Sequence, residues 1–319
     1  MKKIFITGGS GTVGKSFIKK YYKNYKFYSY ARGEKAQVAL KRLFPEIEII
    51  IGGIEDLNLL TSEIIKINPD IVIHAAALKH VDTAEKQPSQ AILVNVVGSY
   101  NVIQACRTAN VPITIGISTD KACSPGNIYG QSKSFMEKLF LEAYDNKNKF
   151  ACCRFGNVAW SNGSVIPFWL SQKENKKELL LTDEKMNRLM FSEEESSELI
   201  KKCIDDCDRL DKSFILSKLM KTVNMLKLAK LISKNIKVVG LRPGEKLNED
   251  LISEKEVPYS TLEGDFVYLS SNVNKDLKTR LPSKLSSENA VEMSDLEMKS
   301  ILKIAIESSS SSLIENMNY

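Results

Sequence analysis

Short apolar runs alternate with longer stretches of helical periodicity through the first half of the chain. The runs predict six strands, at Lys3–Thr7, Phe27–Ala31, Ile47–Ile51, Asp70–His74, Ile113–Ser118 and Phe150–Phe155. Helical stretches separate them, at Lys15–Tyr22, Lys35–Phe44, Leu57–Ile67, Ser89–Ala109 and Ile128–Asn146. Strands that alternate with helices of this length are typical of a parallel sheet covered on both faces. We therefore predict an α/β fold with a doubly wound parallel sheet.

The alternation breaks after Val158, which indicates a second, smaller unit. Helical stretches at Asn162–Lys177, Glu193–Arg209 and Asn224–Ile232 are interleaved with short strand candidates at Leu179–Leu181, Phe214–Ser217 and Lys237–Val239. Such short strands cannot build a wide sheet of their own. We predict a sheet domain at 1–160, a smaller α/β domain mainly at 161–280, and a helical, low-complexity tail at 281–319 that contains the solvated run Ser308–Ser312.

Composition excludes several classes of protein. The 319 residues are 43% hydrophobic and 26% charged, which excludes a disordered, collagen-like or disulfide-scaffold chain. The net charge of +6 is modest and dispersed, so we expect no nucleic-acid partner. Six cysteines without a CxxC pair and only two histidines predict reduced thiols and no metal. The apolar run after Met1-Lys2-Lys3 stops at Gly8 and no run reaches membrane-spanning length, so we expect no signal peptide, no membrane span and a cytoplasmic location.

A glycine-rich turn follows the first strand and opens the first helix. It reads Thr7-Gly8-Gly9-Ser10-Gly11-Thr12-Val13-Gly14. Gly8 and Gly11 can adopt positive φ and admit a pyrophosphate close to the backbone, while Gly14 lets the helix pack against the strand. Unpaired N–H groups at the helix start attract the anion. The motif predicts a Rossmann-type dinucleotide-binding domain whose cofactor contacts include Gly8, Ser10, Gly11, Thr12, Val13 and Gly14.

The end of the second strand indicates which dinucleotide binds. In an NAD enzyme, Asp or Glu near this point accepts hydrogen bonds from the ribose 2′-hydroxyl. Here Arg32 stands about 20 residues past the glycines, followed closely by Lys35. Because a cation can pair with a 2′-phosphate, we favour NADP over NAD. The alternative is that both are solvated basic residues of the loop.

Two further groups of residues predict redox chemistry. Ser118-Thr119-Asp120-Lys121 ends the fifth strand, at the sheet edge where ligands bind. Tyr129 and Lys133 follow at i,i+4 on one face of the next helix. An ammonium beside a phenol lowers the phenol pKa from about 10, so the tyrosine can remove a hydroxyl proton while hydride leaves the carbon for a nicotinamide.

Taken together, these residues resemble the extended short-chain dehydrogenases/reductases. More closely, the chain resembles the UDP-N-acetylglucosamine 4,6-dehydratases, especially the soluble branch that inverts C5. The resembling segments span most of the chain: Thr7–Gly14, His74–Val81, Asn95–Gly98, Ser118–Ala122, Pro125, Asn127, Tyr129–Lys133, Arg154–Val158, Gly163–Pro167 and Arg242–Leu247. The most specific are Ala-Leu-Lys-His-Val at 77–81 and Ser-Thr-Asp-Lys-Ala at 118–122. A plain sugar C4-epimerase is expected to resemble the cofactor half only.

The resemblance implies a reaction without net redox change. Tyr129, Lys133 and Thr119 would serve C4 oxidation, which acidifies H5. Lys121 would then remove H5, and Asp120 would protonate the departing 6-hydroxyl. Hydride return to C6 and protonation of C5 on the other face would give an inverted UDP-4-keto-6-deoxy-HexNAc for glycan biosynthesis. The alternatives are a C5-retaining dehydratase, a UDP-sugar C4-epimerase and a non-catalytic dinucleotide sensor, with an ion-paired turn as the alternative role of Asp120-Lys121.

The resemblance also implies further binding residues. Ala75, Ala76 and Ala77 would lie against the dinucleotide, and Ile54 would contact the adenine without a carboxylate partner, because Gly53 stands where the family often has aspartate. The UDP-sugar contacts would come from Lys79, His80, Asn157, Val165, Arg188, Arg242 and Glu245. We expect His74 to be a hydrogen-bonded core histidine and Asn95 to brace the active-site strand. By analogy, a homodimer or larger oligomer would form through Ser89–Ala109 and Tyr129–Asn146.

Overall fold

The computed structural model describes residues 1–145, 147–210, 212–273, 275–276 and 278–302. The strands are β1 Lys3–Thr7, β2 Lys26–Ala31, β3 Glu48–Ile51, β4 Ile71–His74, β5 Ile113–Thr119, β6 Lys149–Phe155, β7 Asn157–Val158, β8 Leu179–Leu181, β9 Asn187–Phe191, β10 Phe214–Lys218, β11 Lys221–Asn224, β12 Ile236–Val238, β13 Asp250–Ile252, β14 Ser260–Glu263, β15 Phe266–Leu269 and β16 Leu285–Ser286. The helices are α1 Thr12–Tyr21, α2 Glu34–Leu43, α3 Leu57–Ile67, α4 Val81–Lys86, α5 Pro88–Ile92, α6 Gly98–Thr108, α7 Ile128–Ala143, α8 Val165–Glu174, α9 Glu193–Arg209 and α10 Met225–Ile232.

A nine-stranded sheet forms the centre of the described part of the chain, in the order β14-β15-β10-β6-β5-β4-β1-β2-β3. The seven strands from β10 to β3 are parallel, and β15 and β14 add antiparallel pairs at one edge. Because the strands are buried on both faces, they are almost continuously apolar rather than alternating. The predicted doubly wound parallel sheet of Rossmann type is confirmed.

Alternate side chains of each strand belong to two separate apolar layers, one on each face of the sheet. In β1, Ile4 and Ile6 join a cluster that includes residues of α1, α2 and α9. Phe5 between them joins the opposite cluster, with residues of α3, α6 and α7. Each helix buries one apolar stripe against the sheet, which is what its helical spacing predicted. All six cysteines are buried free thiols, five of them in these two layers at Cys106, Cys152, Cys153, Cys203 and Cys207.

The C-terminal half differs from the prediction in its strand partners. We expected Phe214–Ser217 to belong to the smaller domain, but β10 pairs in parallel with β6 and antiparallel with β15 inside the main sheet. Helix α9 also packs on this sheet. A short apolar strand carries no local mark of its partner, so the sequence pattern alone could not show this crossing. The division of the chain at residue 160 stays a prediction. Residues 161–280 contribute elements both to the main sheet and to the smaller layer beside it.

The smaller layer surrounds a third apolar cluster that includes Trp169, Met190 and Leu228. Its strands form small sheets, β11-β9-β7 and β12-β8, while β13 pairs with β16. Local boundaries also moved: the predicted helix Asn162–Lys177 shortens to α8, and Ser89–Ala109 divides into α5, a π-helical turn at Leu93–Val97 and α6. The predicted serine-rich run Ser308–Ser312 lies outside the described residues. Among the helices given above, none has the length and apolar character that a membrane crossing requires.

Candidate active site

A cleft of about 1170 Å³ runs along the carboxyl ends of the parallel strands, between the main sheet and the smaller layer. Most of the predicted site residues line it: Gly8, Gly11, Thr12, Val13, Gly14, Arg32, Ile54, Ala75, Ala76, Ala77, Lys79, His80, Thr119, Lys121, Tyr129, Lys133, Asn157, Val165, Arg188, Arg242 and Glu245. Ser10, Lys35 and Asp120 are not among its lining residues. Asp120 is fully buried behind the surface, and Lys35 lies exposed in the first turn of α2. The topology therefore brings residues from distant parts of the chain to one edge.

The glycine turn after β1 has the shape of an anion cradle. Gly8 has φ +73°, and a Cβ there would lie 2.7 Å from the backbone nitrogen of Ala76. A Cβ on Gly14 would lie 2.7 Å from the Cα of Gly9. Helix α1 begins after Gly11 with neither a side-chain cap nor an acidic residue in its first turn. Its first N–H groups are therefore available to a pyrophosphate, so the turn fits a dinucleotide.

An ion pair lies at the end of the cleft where we expect the adenosine. Arg32 lies at the cleft, as predicted, but its Nη1 is 3.3 Å from Oε1 of Glu55. A Cβ on Gly53 would lie 2.6 Å from the carboxyl carbon of Glu55. Glu55 folds back over the space that the glycine leaves open, and the contact of Ile54 with an adenine without a carboxylate partner stays a prediction. Lys35 stays a predicted cofactor contact that this cleft does not include.

The residues behind the end of β4 have mainly structural roles. The Nδ1 of His74 lies 2.7 Å from Oγ1 of Thr7, and its Nε2 lies 2.9 Å from Oγ of Ser99. Burial lowers the pKa of His74 to about 3, so it is the neutral core histidine that we expected. Asn95, in the π-helical turn, accepts from Leu78 N at 2.8 Å and donates to Leu78 O at 2.9 Å. It braces the loop after β4 rather than strand β5.

The catalytic candidates lie on a 3-10 turn, Asp120–Ala122, that follows β5 directly. The Lys121 ammonium donates to Oδ1 of Asp120 at 3.0 Å, and the Thr119 hydroxyl donates to the same oxygen at 2.9 Å. Asp120 is 0% exposed, and its Oδ2 has no hydrogen-bond partner among the described residues. Lys121 also reaches Oδ1 of Asn157 at 3.4 Å. The turn thus combines a buried acid with a lysine that faces the cleft.

Tyr129 and Lys133 share one face of α7, but their electrostatics differ from the expectation. Burial raises the pKa of Tyr129 above its ordinary value, and the Asp120 carboxylate adds to this rise. Burial lowers the pKa of Lys133 to about 8, although Glu137 opposes the change. The Lys133 ammonium donates to Sδ of Met136 at 2.8 Å. Because it points along its own helix, the expected lowering of the Tyr129 pKa by the lysine is not found in this arrangement.

Close packing fixes the distance between the catalytic turn and α7. A Cβ on Gly130 would lie 2.2 Å from the carbonyl oxygen of Lys121. Asn127 caps α7 by accepting from Gly130 N at 2.8 Å, and it donates to Gly244 O at 2.9 Å. Lys246 donates to the carbonyl of Ser124. The start of α7, the catalytic turn and the loop at residues 242–247 are therefore held as one unit.

A buried ionic network, which the sequence analysis missed, links α7 to β6 beside the catalytic turn. Arg154 on β6 is 2% exposed and donates to Glu137 from Nε at 2.8 Å and from Nη2 at 2.7 Å. Its Nη1 and Nη2 reach Glu256 at 3.1 and 2.9 Å, and Cys123 donates to Glu256 at 3.0 Å. Against the effect of burial, Arg154 lowers the pKa of Glu256 to about 2. The spacing Tyr129–Lys133–Glu137 along α7 was the available hint.

The two arginines of the predicted substrate side are held differently. Arg188 is 8% exposed and donates to the carbonyls of Asn187, Leu247 and Lys246 at 2.8, 3.0 and 2.9 Å. Arg242 has a side chain that is 62% exposed and pairs with Glu245 at 2.8 Å. Arg188 therefore anchors the loop at 242–247 to β9, while Arg242 is free to reorient toward a ligand. A direct phosphate contact by either arginine stays a prediction.

The loop at residues 160–164 covers the cleft near the glycine turn. Asn162 N donates to Oγ1 of Thr12 at 3.0 Å, and a Cβ on Gly163 would lie 2.5 Å from Cε1 of His80. Nε1 of Trp160 and Oγ of Ser164 are buried atoms without a hydrogen-bond partner in the described ranges. Both are donors that the sequence analysis missed. Of the two residues, Ser164 lines the cleft, so its unpartnered hydroxyl suits a phosphorylated ligand there.

Glu249 is a further residue that the sequence analysis missed. It is 2% exposed and follows the loop at 242–247. Burial raises its pKa, the Lys121 charge opposes this rise, and Asp120 adds to it. In the sequence, only the position of Glu249 just beyond Arg242–Leu247 indicated a role in the site. Its burial beside the catalytic turn could not be predicted, because that burial depends on the pairing of β13 with β16.

The parallel sheet, the glycine cradle, the strand-end Thr119 and the Tyr129/Lys133 pair define a short-chain dehydrogenase/reductase of the extended type, with a cleft that fits a nicotinamide dinucleotide. Residues 4–270 match the family described as polysaccharide biosynthesis protein. The chain belongs to that family.

Named relatives agree with this assignment. A UDP-N-acetylglucosamine 4,6-dehydratase (inverting) of Campylobacter jejuni is 37% identical over 80% of this chain and 78% of its own length. A UDP-glucose 4-epimerase of Rickettsia bellii is 32% identical over 94% of this chain and 95% of its own length. The X-ray structure of Pen from Bacillus thuringiensis superposes with a TM-score of 0.85 and 27% identity, over 96% of this chain and 98% of that one. The expectation that an epimerase matches only the cofactor half was wrong, since overall similarity covers both halves.

Proposed function

We propose that this chain catalyses the 4,6-dehydration of UDP-N-acetylglucosamine with inversion at C5, giving a UDP-4-keto-6-deoxy-HexNAc for glycan biosynthesis. The observation that carries the proposal is the contact of 3.0 Å between the Lys121 ammonium and the Asp120 carboxylate at the edge of the cleft. One proton shift along this contact gives a neutral lysine, which is a base, and a protonated aspartic acid, which is an acid. Dehydration needs both groups, one for H5 and one for the leaving hydroxyl.

The other residues of the cleft supply the remaining steps. A nicotinamide dinucleotide held by the glycine turn at residues 8–14 would supply the hydride acceptor for C4 and the hydride donor for C6, and C5 would then take a proton on the face opposite to the one that lost H5. Tyr129 takes the proton of the 4-hydroxyl, and the Thr119 hydroxyl holds the 4-oxygen. Lys121 removes H5, which the 4-ketone has made acidic. Asp120 protonates the 6-hydroxyl as it leaves, with the proton that its Oδ1 has taken from Lys121.

The acid–base pair is also the feature that favours dehydration over C4 epimerisation. An epimerase oxidises and reduces C4 and needs only the tyrosine, its lysine and an oxygen-holding residue. Asp120 and Lys121 add two proton-transfer groups directly after Thr119, and the close approach of Gly130 to the Lys121 carbonyl keeps them beside Tyr129. The sensor alternative needs none of these groups. Retention at C5 stays the second candidate within the dehydratases.

We propose NADP as the cofactor, because Arg32 lines the cleft at the adenosine end while Lys35 lies nearby on α2. Replacing Arg32 by Asp should invert the preference between NADP and NAD, since the 2′-phosphate would then meet a like charge. Titration of both dinucleotides into the purified variant measures this. An unchanged affinity for NADP would remove Arg32 from the site.

Mass spectrometry tests the reaction itself. The purified chain with its dinucleotide is incubated with UDP-N-acetylglucosamine, and we expect a product lighter by one water. An unchanged mass after long incubation contradicts dehydration and leaves the epimerase or the sensor. Proton NMR in deuterium oxide then decides the C5 configuration. Deuterium at C5 in the inverted sugar supports the proposal, and deuterium at C5 in the original configuration indicates the retaining enzyme.

We also propose that the chain forms a homo-oligomer in the cytoplasm. Large apolar side chains on α5, the π-helical turn, α6 and α7 are exposed: Ile92, Leu93, Val97, Tyr100 and Phe135. Exposed apolar residues grouped on neighbouring helices are typical of a surface between protein subunits. The six buried free thiols suit a reducing compartment. Light scattering of the purified chain tests the assembly, with a monomer as the contradicting result.

A further inference from the structure

The Glu55 carboxylate lies beside the arginine that favours NADP. Its Oε1 is 3.3 Å from Nη1 of Arg32. Its Oε2 is a buried atom without a hydrogen-bond partner among the described residues. The same end of the cleft is lined by Arg32, Gly52 and Ile54. Glu55 itself is not among the residues that line the cleft, so its carboxylate acts on a bound dinucleotide through Arg32, which does line it.

The backbone around Glu55 is fixed independently of Arg32. The Asn101 amide, which is 7% exposed, donates to the carbonyls of Ile54 and Glu55 at 3.0 and 3.1 Å. The Tyr30 hydroxyl donates to the carbonyl of Gly53 at 2.9 Å. Because Gly53 has no side chain, the carboxylate fits against it. The position of Glu55 is thus built by the fold and would persist if Arg32 turned away.

The ion pair itself is weak enough to open. The Arg32 side chain is 61% exposed, and a single contact of 3.3 Å at the surface contributes little. A 2′-phosphate carries a charge of about −2 and can form stronger, charge-assisted hydrogen bonds with the guanidinium. To do so it must take Arg32 from Glu55 and approach a like charge. A free 2′-hydroxyl carries no charge and meets no such repulsion.

We propose that Glu55 is a specificity-determining residue that narrows the preference for NADP over NAD. It holds Arg32 in competition with the 2′-phosphate and repels that phosphate, whereas the uncharged 2′-hydroxyl of NAD meets neither effect. This inference rests on the cofactor site of the proposed function, but it concerns binding and does not depend on which sugar reaction follows.

Direct binding of two nucleotide fragments to the full-length chain tests the inference. After removal of any nucleotide that copurifies, 2′,5′-ADP and 5′-AMP are titrated by calorimetry into the wild type, Glu55→Gln, Arg32→Gln and the double variant. We expect Glu55→Gln to tighten 2′,5′-ADP by about five- to tenfold without tightening 5′-AMP. Arg32→Gln should weaken 2′,5′-ADP by about tenfold or more. The effect of Glu55→Gln should shrink in the Arg32→Gln background, because the two residues act on one another.

Glu48→Gln is the matched control, because it breaks a comparable ion pair on the same two strands. Lys26 and Glu48 pair at 2.8 Å at the amino ends of β2 and β3, away from the cleft. We expect both fragment affinities to be unchanged in this variant, and its thermal unfolding together with that of Glu55→Gln verifies that each variant is folded.

Two results would overturn the inference. One is a 2′,5′-ADP affinity of Glu55→Gln within about twofold of the wild type, and the other is an equal gain for both fragments. If no dehydration of the sugar is observed but Glu55→Gln changes the ratio of the 2′,5′-ADP and 5′-AMP affinities as expected, the proposed function is wrong and this inference stands. If dehydration is observed and the ratio does not respond, this inference alone is wrong.

Discussion

The glycine turn at residues 8–14 and the loop at residues 242–247 lie on opposite sides of one cleft and are held by different kinds of contact. In the glycine turn, Gly11 N donates to Gly8 O at 2.9 Å, within the same short segment. In the opposite loop, the carbonyls of Gly244, Lys246 and Leu247 accept from Asn127 and Arg188, which are remote in sequence. The cofactor side is thus largely a local structure, while the substrate side is assembled by long-range contacts.

The catalytic turn lies between these two regions and depends on both. Its hydrogen bonds among Thr119, Asp120 and Lys121 are local. Its distance from Tyr129 depends on Gly130 and on the cap Asn127, which also holds Gly244. We infer that a change on either side of the cleft reaches the chemistry through this turn, and the following variants test that view.

The largest effect is expected for Lys121→Ala, which removes the proposed base and leaves the cofactor side intact. Dehydration should fall by about 10²- to 10⁴-fold, because general-base catalysis contributes on this scale. Deuterium uptake at C5 should collapse while oxidation at C4 survives. NMR and cofactor absorbance measure the two steps separately. Lys138→Ala, an exposed lysine of α7, is the control. Normal deuterium uptake in Lys121→Ala would assign the base to another residue.

Gly130→Ala should push the catalytic turn away from α7. The new Cβ would lie 2.2 Å from the Lys121 carbonyl, so the turn must move. We expect turnover to fall by about 10- to 100-fold and the protein to lose about 1–3 kcal/mol of stability. Steady-state kinetics and thermal unfolding measure the two effects. Gln131→Ala at the neighbouring exposed position should change neither. Wild-type kinetics in Gly130→Ala would show that this close approach is unimportant.

Variants of Arg188 and Arg242 should distinguish a residue that anchors the loop at 242–247 from one that binds the ligand. Arg188→Met removes hydrogen bonds to three carbonyls, so we expect a loss of about 2–4 kcal/mol of stability together with a higher KM. Arg242→Ala should raise KM by about tenfold with unchanged stability, because its side chain is exposed. Chemical denaturation and KM for the UDP-sugar check both. Unchanged stability in Arg188→Met would make it a ligand contact and not an anchor.

The smallest effect concerns Lys133 and pH. Its pKa is lowered to about 8 in the fold, against about 10.4 in an unfolded chain. Between these values the unfolded state holds a proton that the folded state has lost, so the free energy of unfolding rises with pH. Lys133→Met lacks this contribution. From pH 8 to 10, the stability of the wild type should gain about 1–3 kcal/mol relative to the variant. Parallel curves in chemical denaturation would contradict the lowered pKa.

Much of the fold and of the cofactor side could be predicted because the determining interactions are close in sequence. The predicted strand Lys3–Thr7 and the predicted helix Leu57–Ile67 match the structure at both ends. The glycine turn and the Tyr129/Lys133 pair follow from spacing along one turn and one helix. These features depend on backbone conformation and on helical periodicity, both of which a short segment expresses by itself.

Other features of the site could not be predicted, because they depend on which distant segments meet. Phe214–Lys218 could be recognised as a strand, but its place beside β6 in the main sheet could not. Glu55 could not be paired with Arg32 before the fold placed the ends of β2 and β3 side by side. Nor could the charge of Lys133 be judged before its burial was known.

By itself, the sequence determined the alternation of strands and helices, the dinucleotide cradle and the candidates for the acid, the base and the tyrosine. Only the tertiary structure decided that Arg188 anchors a loop, that Lys133 has a lowered pKa and that Glu55 pairs with Arg32. The physical reason is that side-chain type and spacing act over a few residues, whereas burial, charge pairing and close packing are set by neighbours that the chain brings together only when it folds.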